Sequence, residues 1–135
     1  MHFGLELRLE LLPMKFLIVD DSATMRRIVI NSLRRIFEDF DYVEADSGDA
    51  AVEVIRQSES VFAAITFDWV MPGMPSHQAV TAIREMVDTP ILMVTTRSVR
   101  EDIVLAAQAG VNNYVVKPFT PQVLKEKLEQ MGVPC

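Results

Sequence analysis

From Met14 onward the chain repeats one unit five times: an apolar run of strand length, then a stretch with apolar residues at helical spacing. The runs lie at 15–19, 42–45, 62–67, 91–95 and 113–116. Most are apolar throughout rather than alternating, as strands buried on both faces of a parallel sheet must be. The helical patterns are Met25, Ile28, Val29, Leu33 and Ile36; Ala51, Val54 and Ile55; Ala79, Val80, Ile83 and Met86; Ile103, Ala106 and Ala107; and Val123, Leu124 and Leu128. Such a series predicts an α/β domain, a doubly wound parallel five-stranded sheet with helices on both faces. The punctuation agrees. Ser98 with Glu101 has the pattern of a capping box, Gly110 stands where that helix should stop, and Thr120–Pro121 reads as a cap followed by proline at the first helical position.

The polar residues that close these runs are unusual. Asp20 and Asp21 follow the first run, Asp68 the third and Lys117 the fifth, while Thr95 ends the fourth. In an open α/β sheet the C-terminal strand ends share one rim, where ligands bind. Three carboxylates, a hydroxyl and an ammonium then converge. A carboxylate can take a phosphoryl group as an acyl phosphate, which makes Asp68 the candidate nucleophile. A lone strand-end aspartate more often caps a turn, and Asp20 or Asp21 can simply cap the next helix. Adjacent acids, however, cost free energy unless a cation offsets them. Mg²⁺, a hard ion that takes oxygen ligands and keeps several waters, suits Asp20, Asp21, Asp68 and a backbone carbonyl just beyond, at Val70. Lys117 can reach a phosphoryl oxygen and Thr95 can donate its hydroxyl. Trp69, Met71 and Tyr114 read as packing residues beside the site.

The whole chain sets bounds. With 135 residues and half of them hydrophobic, it is one domain by size. A net charge of −6 is the wrong sign for a general nucleic-acid binder. The single cysteine, Cys135, leaves no disulfide framework. No apolar stretch approaches a membrane span and no secretory signal is visible, so a cytoplasmic location is expected. Residues 1–13 stand apart from the domain at 14–135. Leu5, Leu7, Leu9 and Leu11 alternate with Glu6, Arg8 and Glu10 before Pro13, which reads as an extra strand or as a leader ahead of a start at Met14.

Four segments together, FLIVDDSATMRR, DWVMP, LMVT and NNYVVKPFTP, resemble the receiver domains of two-component response regulators, most nearly those of chemotaxis type. The resemblance runs from Met14 to about Met131. It implies a flavodoxin-like (βα)5 sheet of strand order 2-1-3-4-5. It further implies Asp68 as phosphoacceptor, Asp20 and Asp21 as the acidic metal pair, Thr95 and Lys117 as phosphoryl contacts, and Tyr114 as the aromatic that reports activation. A cis peptide at Lys117–Pro118 is also implied. The phosphoryl donor would be a sensor histidine kinase. The output would be protein binding through the face of helix four, strand five and helix five, with a flagellar motor switch protein as one partner and a phosphatase as another. No output domain is expected after the last helix, nor any membrane or nucleic-acid partner, and the chain should be a monomer or weak dimer. It would be a signalling protein that catalyses only its own phosphoryl transfer and dephosphorylation. Rival readings are a never-phosphorylated binding module of the same fold, a phosphorelay carrier or phosphate sink, and an aspartyl-phosphate hydrolase. The last ranks lowest, because dehalogenase-like phosphatases carry a second aspartate where Val70 stands.

The chain departs from this pattern at three places. Pro75–Ser76 replaces Asp-Gly or Asn-Gly, so the loop after strand three must differ locally, since proline fixes φ and lacks a donor. Val70 stands where Asn is frequent, and Arg97 where Glu is frequent. Both flank the expected acyl phosphate. Val70 cannot orient an attacking water by hydrogen bonding, and Arg97 can hold phosphoryl oxygens or block the approach. Slow self-dephosphorylation is expected; the alternative is that both side chains point to solvent and the Asp, Thr and Lys groups alone set the rate. A variant carrying Val70→Asn and Arg97→Glu should lose its phosphoryl group faster, as measured by decay of the phosphorylated protein. Equal decay rates, or faster decay in the natural chain, would refute the assignment.

Overall fold

The computed structural model describes residues 14–96 and 98–135. The leading segment and Arg97 lie outside the described residues, as do the expectations placed on them. Five strands and five helices alternate: β1 (Met14–Val19), α1 (Ala23–Arg34), β2 (Phe40–Ala45), α2 (Gly48–Gln57), β3 (Ala64–Asp68), α3 (Ser76–Met86), β4 (Ile91–Thr95), α4 (Arg100–Ala109), β5 (Asn113–Val116) and α5 (Pro121–Gln130). All pairings are parallel and the sheet order is β2-β1-β3-β4-β5, as the resemblance implies.

Strand alternation sorts the core into two layers. Leu17, Val19, Ile65, Phe67 and Met93 face one side, where Ala51, Val52 and Ile55 of α2 and Ala79, Val80 and Ile83 of α3 pack. Phe16, Ile18, Leu92, Val94 and Val115 face the other, against Val29, Ile30 and Leu33 of α1 and Leu124 and Leu128 of α5. The central strands β3 and β4 are buried at every residue, which is why their sequence runs apolar without alternation. The helices are not held equally. α1, α2 and α3 each bury four residues, α5 buries two, and α4 buries Ala106 alone.

The caps refine the sequence reading. Thr120 Oγ1 accepts from Val123 N, with Pro121 opening α5, as expected. Gly110 ends α4 with φ 119°, a left-handed conformation that glycine adopts without steric cost. The capping box at Ser98 is not formed: Val99 is the cap residue of α4, without a side-chain bond, so the helix starts one position later than a Ser98 cap requires. Ile28, counted on the apolar face of α1, is 42% exposed. Pro75 is the cap residue of α3, and its carbonyl accepts from Gln78 N and Ala79 N. Its missing N–H therefore breaks no helical bond. The Lys117–Pro118 peptide is cis.

The packing gives a direct stability test. Leu33 is fully buried, whereas Val61 is 86% exposed. Leu33→Ala should cost about 3–5 kcal/mol through lost transfer energy and a residual cavity, and Val61→Ala roughly 0.5 kcal/mol or less. Urea unfolding of both variants checks the contrast.

Candidate functional site

Neighbouring strands set the site. β1 and β3 pair with Val19 opposite Phe67, so Asp20 and Asp68 leave the sheet at the same level. β3 and β4 pair with Asp68 opposite Val94, and β4 and β5 with Thr95 opposite Val116, which brings Thr95 and Lys117 to the same rim. One carboxylate oxygen from each of Asp20, Asp21 and Asp68 lies within 4.8 Å of the others. Asp20 and Asp68 are buried and Asp21 is exposed, so the cluster opens to solvent on one side. Lys117 Nζ stands 3.3 Å from Asp20 Oδ2 and 3.4 Å from Asp68 Oδ1.

The aspartates after β1 do not cap α1. Ser22 is the cap residue, with its hydroxyl accepting from Met25 N, while Asp20 Oδ1 accepts from Ser22 N at 2.9 Å. Oδ2 of Asp20 is thereby left facing Lys117. The Val70 N–H is turned toward the Asp68 carboxylate and lowers its pKa. Burial pushes the Asp68 carboxyl above its ordinary value and the neighbouring Asp20 charge pushes it further, while Lys117 and the Val70 N–H pull it back. Three hard oxygen donors, converging and short of positive charge, form a donor set that fits a divalent cation such as Mg²⁺.

The other expected residues are distributed around this centre. Thr95 is fully buried at the end of β4. Val70, two residues beyond Asp68, is 61% exposed. Tyr114 pairs with Met93 lower on β5 and lines a cavity of about 150 Å³ with Ile103 and Ala106. It is thus outside the acidic cluster. Lys127 Nζ lies 5.1 Å from the Tyr114 ring centroid. Trp69 is buried in the α2–α3 layer, as expected of a packing residue.

Two further residues support the site. Arg26 Nη1 donates to the Asp20 carbonyl at 2.7 Å, and its Nε to Glu44 Oε1 at 2.9 Å, tying the β1–α1 turn to β2. Ser76 Oγ donates toward the carbonyls of Asp68 and Trp69, at 3.1 and 2.9 Å. Nothing in the spacing of Arg26 marks that role. Ser76 was visible as an unusual residue, but its hydroxyl's destination was not.

The sequence model of the response regulator receiver domain matches residues 16–129. The chain belongs to that family. Within it the chain is CheY-like: the chemotaxis protein CheY homolog of Campylobacter jejuni subsp. jejuni is 50% identical over 121 residues, 87% of this chain and 92% of that protein. CheY1 of Helicobacter pylori is 47% identical over 119 residues, 86% and 94% of the two chains. Among solved structures, CheY4 of Vibrio cholerae matches with a TM-score of 0.79 at 30% identity, covering 89% of this chain and 99% of that one.

The raised Asp68 pKa gives a pH-dependent stability. A carboxyl that titrates higher in the folded chain than in the unfolded one stabilises the fold below its ordinary value of 3.8 and loses that contribution as pH rises through the raised value. At neutral pH without metal, the ionised group works against folding. Asp68→Asn should therefore melt higher than the natural chain at pH 7, by a few degrees for each ~1 kcal/mol relieved. The gap should close as pH falls toward 3.8. Calorimetry in chelator across that range checks the sign.

Proposed function

We propose that this chain is a phosphorylation-dependent signalling switch: Asp68 accepts a phosphoryl group from a phosphohistidine on a sensor kinase, and the phosphorylated state is read by protein binding. The observation that carries this reading is Lys117 Nζ set between Asp20 and Asp68, beside the exposed Asp21, at the open rim of the sheet. In the transfer, an Asp68 carboxylate oxygen attacks phosphorus in line. The P–N bond to the imidazole breaks, its electron pair stays on the leaving nitrogen, and a P–O bond to Asp68 forms. Positioning and charge neutralisation supply most of the catalysis in phosphoryl transfer.

Asp20, Asp21, Asp68 and the Val70 carbonyl would hold Mg²⁺, which when bound neutralises the carboxylates and the incoming phosphoryl oxygens. Lys117 offers a second positive charge to those oxygens. Thr95 contributes a hydroxyl from β4, and Tyr114 responds on β5. The exposed Val104, Leu105 and Val116 on α4 and β5 offer an apolar output face. The relatives carry the name of chemotaxis proteins, which supports a chemotaxis role for this chain, with a motor switch component as partner. Among the described residues no helix is long and apolar enough to cross a membrane.

Incubation with a small phosphodonor and Mg²⁺ should add one base-labile phosphoryl group, read by intact mass. Asp68→Asn should abolish it, and chelation of Mg²⁺ should suppress it by at least about tenfold, the scale of a lost transition-state charge contact. Persistent labelling of Asp68→Asn would move the nucleophile elsewhere. No labelling of the natural chain would favour the binding-module reading.

A further inference from the structure

The peptide joining Trp69 to Val70 is one rigid plane with two polar ends. Its N–H, on Val70, is turned toward the Asp68 carboxyl and lowers its pKa. Its carbonyl, on Trp69, accepts from Ser76 Oγ at 2.9 Å. The same hydroxyl stands 3.1 Å from the Asp68 carbonyl. That carbonyl begins the preceding peptide, whose N–H, on Trp69, donates to Val94 O at 3.0 Å. Ser76 is 5% exposed. It opens α3, whose cap residue Pro75 makes no side-chain bond. A serine at a helix start often turns its hydroxyl to that helix's own N–H groups. This one donates to the strand end that carries the nucleophile.

We propose that Ser76 is a positioning residue for Asp68, acting through the Trp69–Val70 peptide. Because the peptide is planar, holding its carbonyl also fixes the direction of the N–H that Val70 turns toward the Asp68 carboxyl. Donation into the carbonyl polarises the amide and strengthens that N–H as a donor. A hydroxyl has a single proton, so Ser76 serves the two carbonyls alternately or as a shared bond. The rest of the loop is fixed by other means. Met71 and Met74 pack on the α2–α3 layer, and a Cβ at Gly48 would stand 3.0 Å from Ala79 Cβ and 3.5 Å from Met74 O. Loss of the hydroxyl should therefore turn the peptide without unseating the loop. This assignment rests on the phosphoacceptor reading for its consequence in rate, but not for its geometry.

Two measurements on the full chain test it. With a small phosphodonor and saturating Mg²⁺, Ser76→Ala should lower the maximal labelling rate roughly fivefold to tenfold, the scale of one hydrogen bond, at unchanged half-saturating donor concentration. Ser76→Gly should reproduce the loss, and Ser76→Thr, which keeps the hydroxyl, should restore the rate. Without donor or metal, amide exchange at Val70 should accelerate in the two variants lacking a hydroxyl and stay slow in Ser76→Thr. Equal maximal rates in the natural chain and Ser76→Ala, or unchanged Val70 exchange, overturn the proposal. A fall in melting temperature with neither effect assigns Ser76 to stability alone and also overturns it. If the natural chain takes no label, the phosphoacceptor reading fails, and Val70 exchange still decides whether Ser76 holds the peptide.

Discussion

Three carboxylates within a few ångströms repel one another, and burial of two of them sharpens the repulsion. The rest of the site is arranged around that cost. β1 and β3 lie side by side, so Asp20 and Asp68 must leave the sheet together. Lys117 arrives from β5, far along the chain, and places its ammonium between them. Backbone donors take part of the remaining charge: Ser22 N–H on Asp20 and Val70 N–H on Asp68. One ammonium cannot balance three carboxylates; burial first, and the Asp20 charge after it, hold the Asp68 carboxyl above its ordinary value. A divalent cation held there would supply the positive charge that the protein alone leaves short.

The architecture was legible because burial on both faces leaves a mark that chain position does not blur. β3 and β4 are buried at every residue and apolar except at Thr66, Asp68 and Thr95, and both lie inside the sheet. The strand ends were legible for the same reason, since aspartate, threonine or lysine after such a run contrasts sharply with it. β2 was read two residues short because Phe40 and Asp41 alternate, as befits a strand at the sheet edge. The capping box at Ser98 failed because a motif of two residues cannot show which neighbour takes the cap geometry, and here Val99 does. Ile28 has helical spacing but sits at the border of the apolar stripe of α1, where periodicity cannot tell the edge of a face from its centre.

The supporting contacts were not legible at all. Arg26 reaches the Asp20 carbonyl, and Ser76 the carbonyls of Asp68 and Trp69. These bonds join side chains to backbone oxygens, which every residue possesses, so no residue type at the receiving end announces them. Pro75–Ser76 was read as a disturbance of the loop. In the fold Pro75 occupies a cap position that needs no N–H, and Ser76 turns its hydroxyl under the strand end. A pair that looked like a defect in a pattern is a different solution to holding the same turn.

The unequal anchoring of the helices has a further consequence. Local opening free energy follows the apolar area an element keeps from water, so a chain is only as rigid in each part as its local contacts make it. α4 buries Ala106 alone, while α1, α2 and α3 each bury four residues. Firm packing of α1 on one face and of α2 and α3 on the other thus contrasts with one lightly anchored helix, α4, and a 150 Å³ space lined by Ile103, Ala106 and Tyr114 lies against it. A change in charge at the rim therefore meets the least packing resistance at α4. The compliance of the molecule is concentrated on one side, and any motion the site provokes will be directed there.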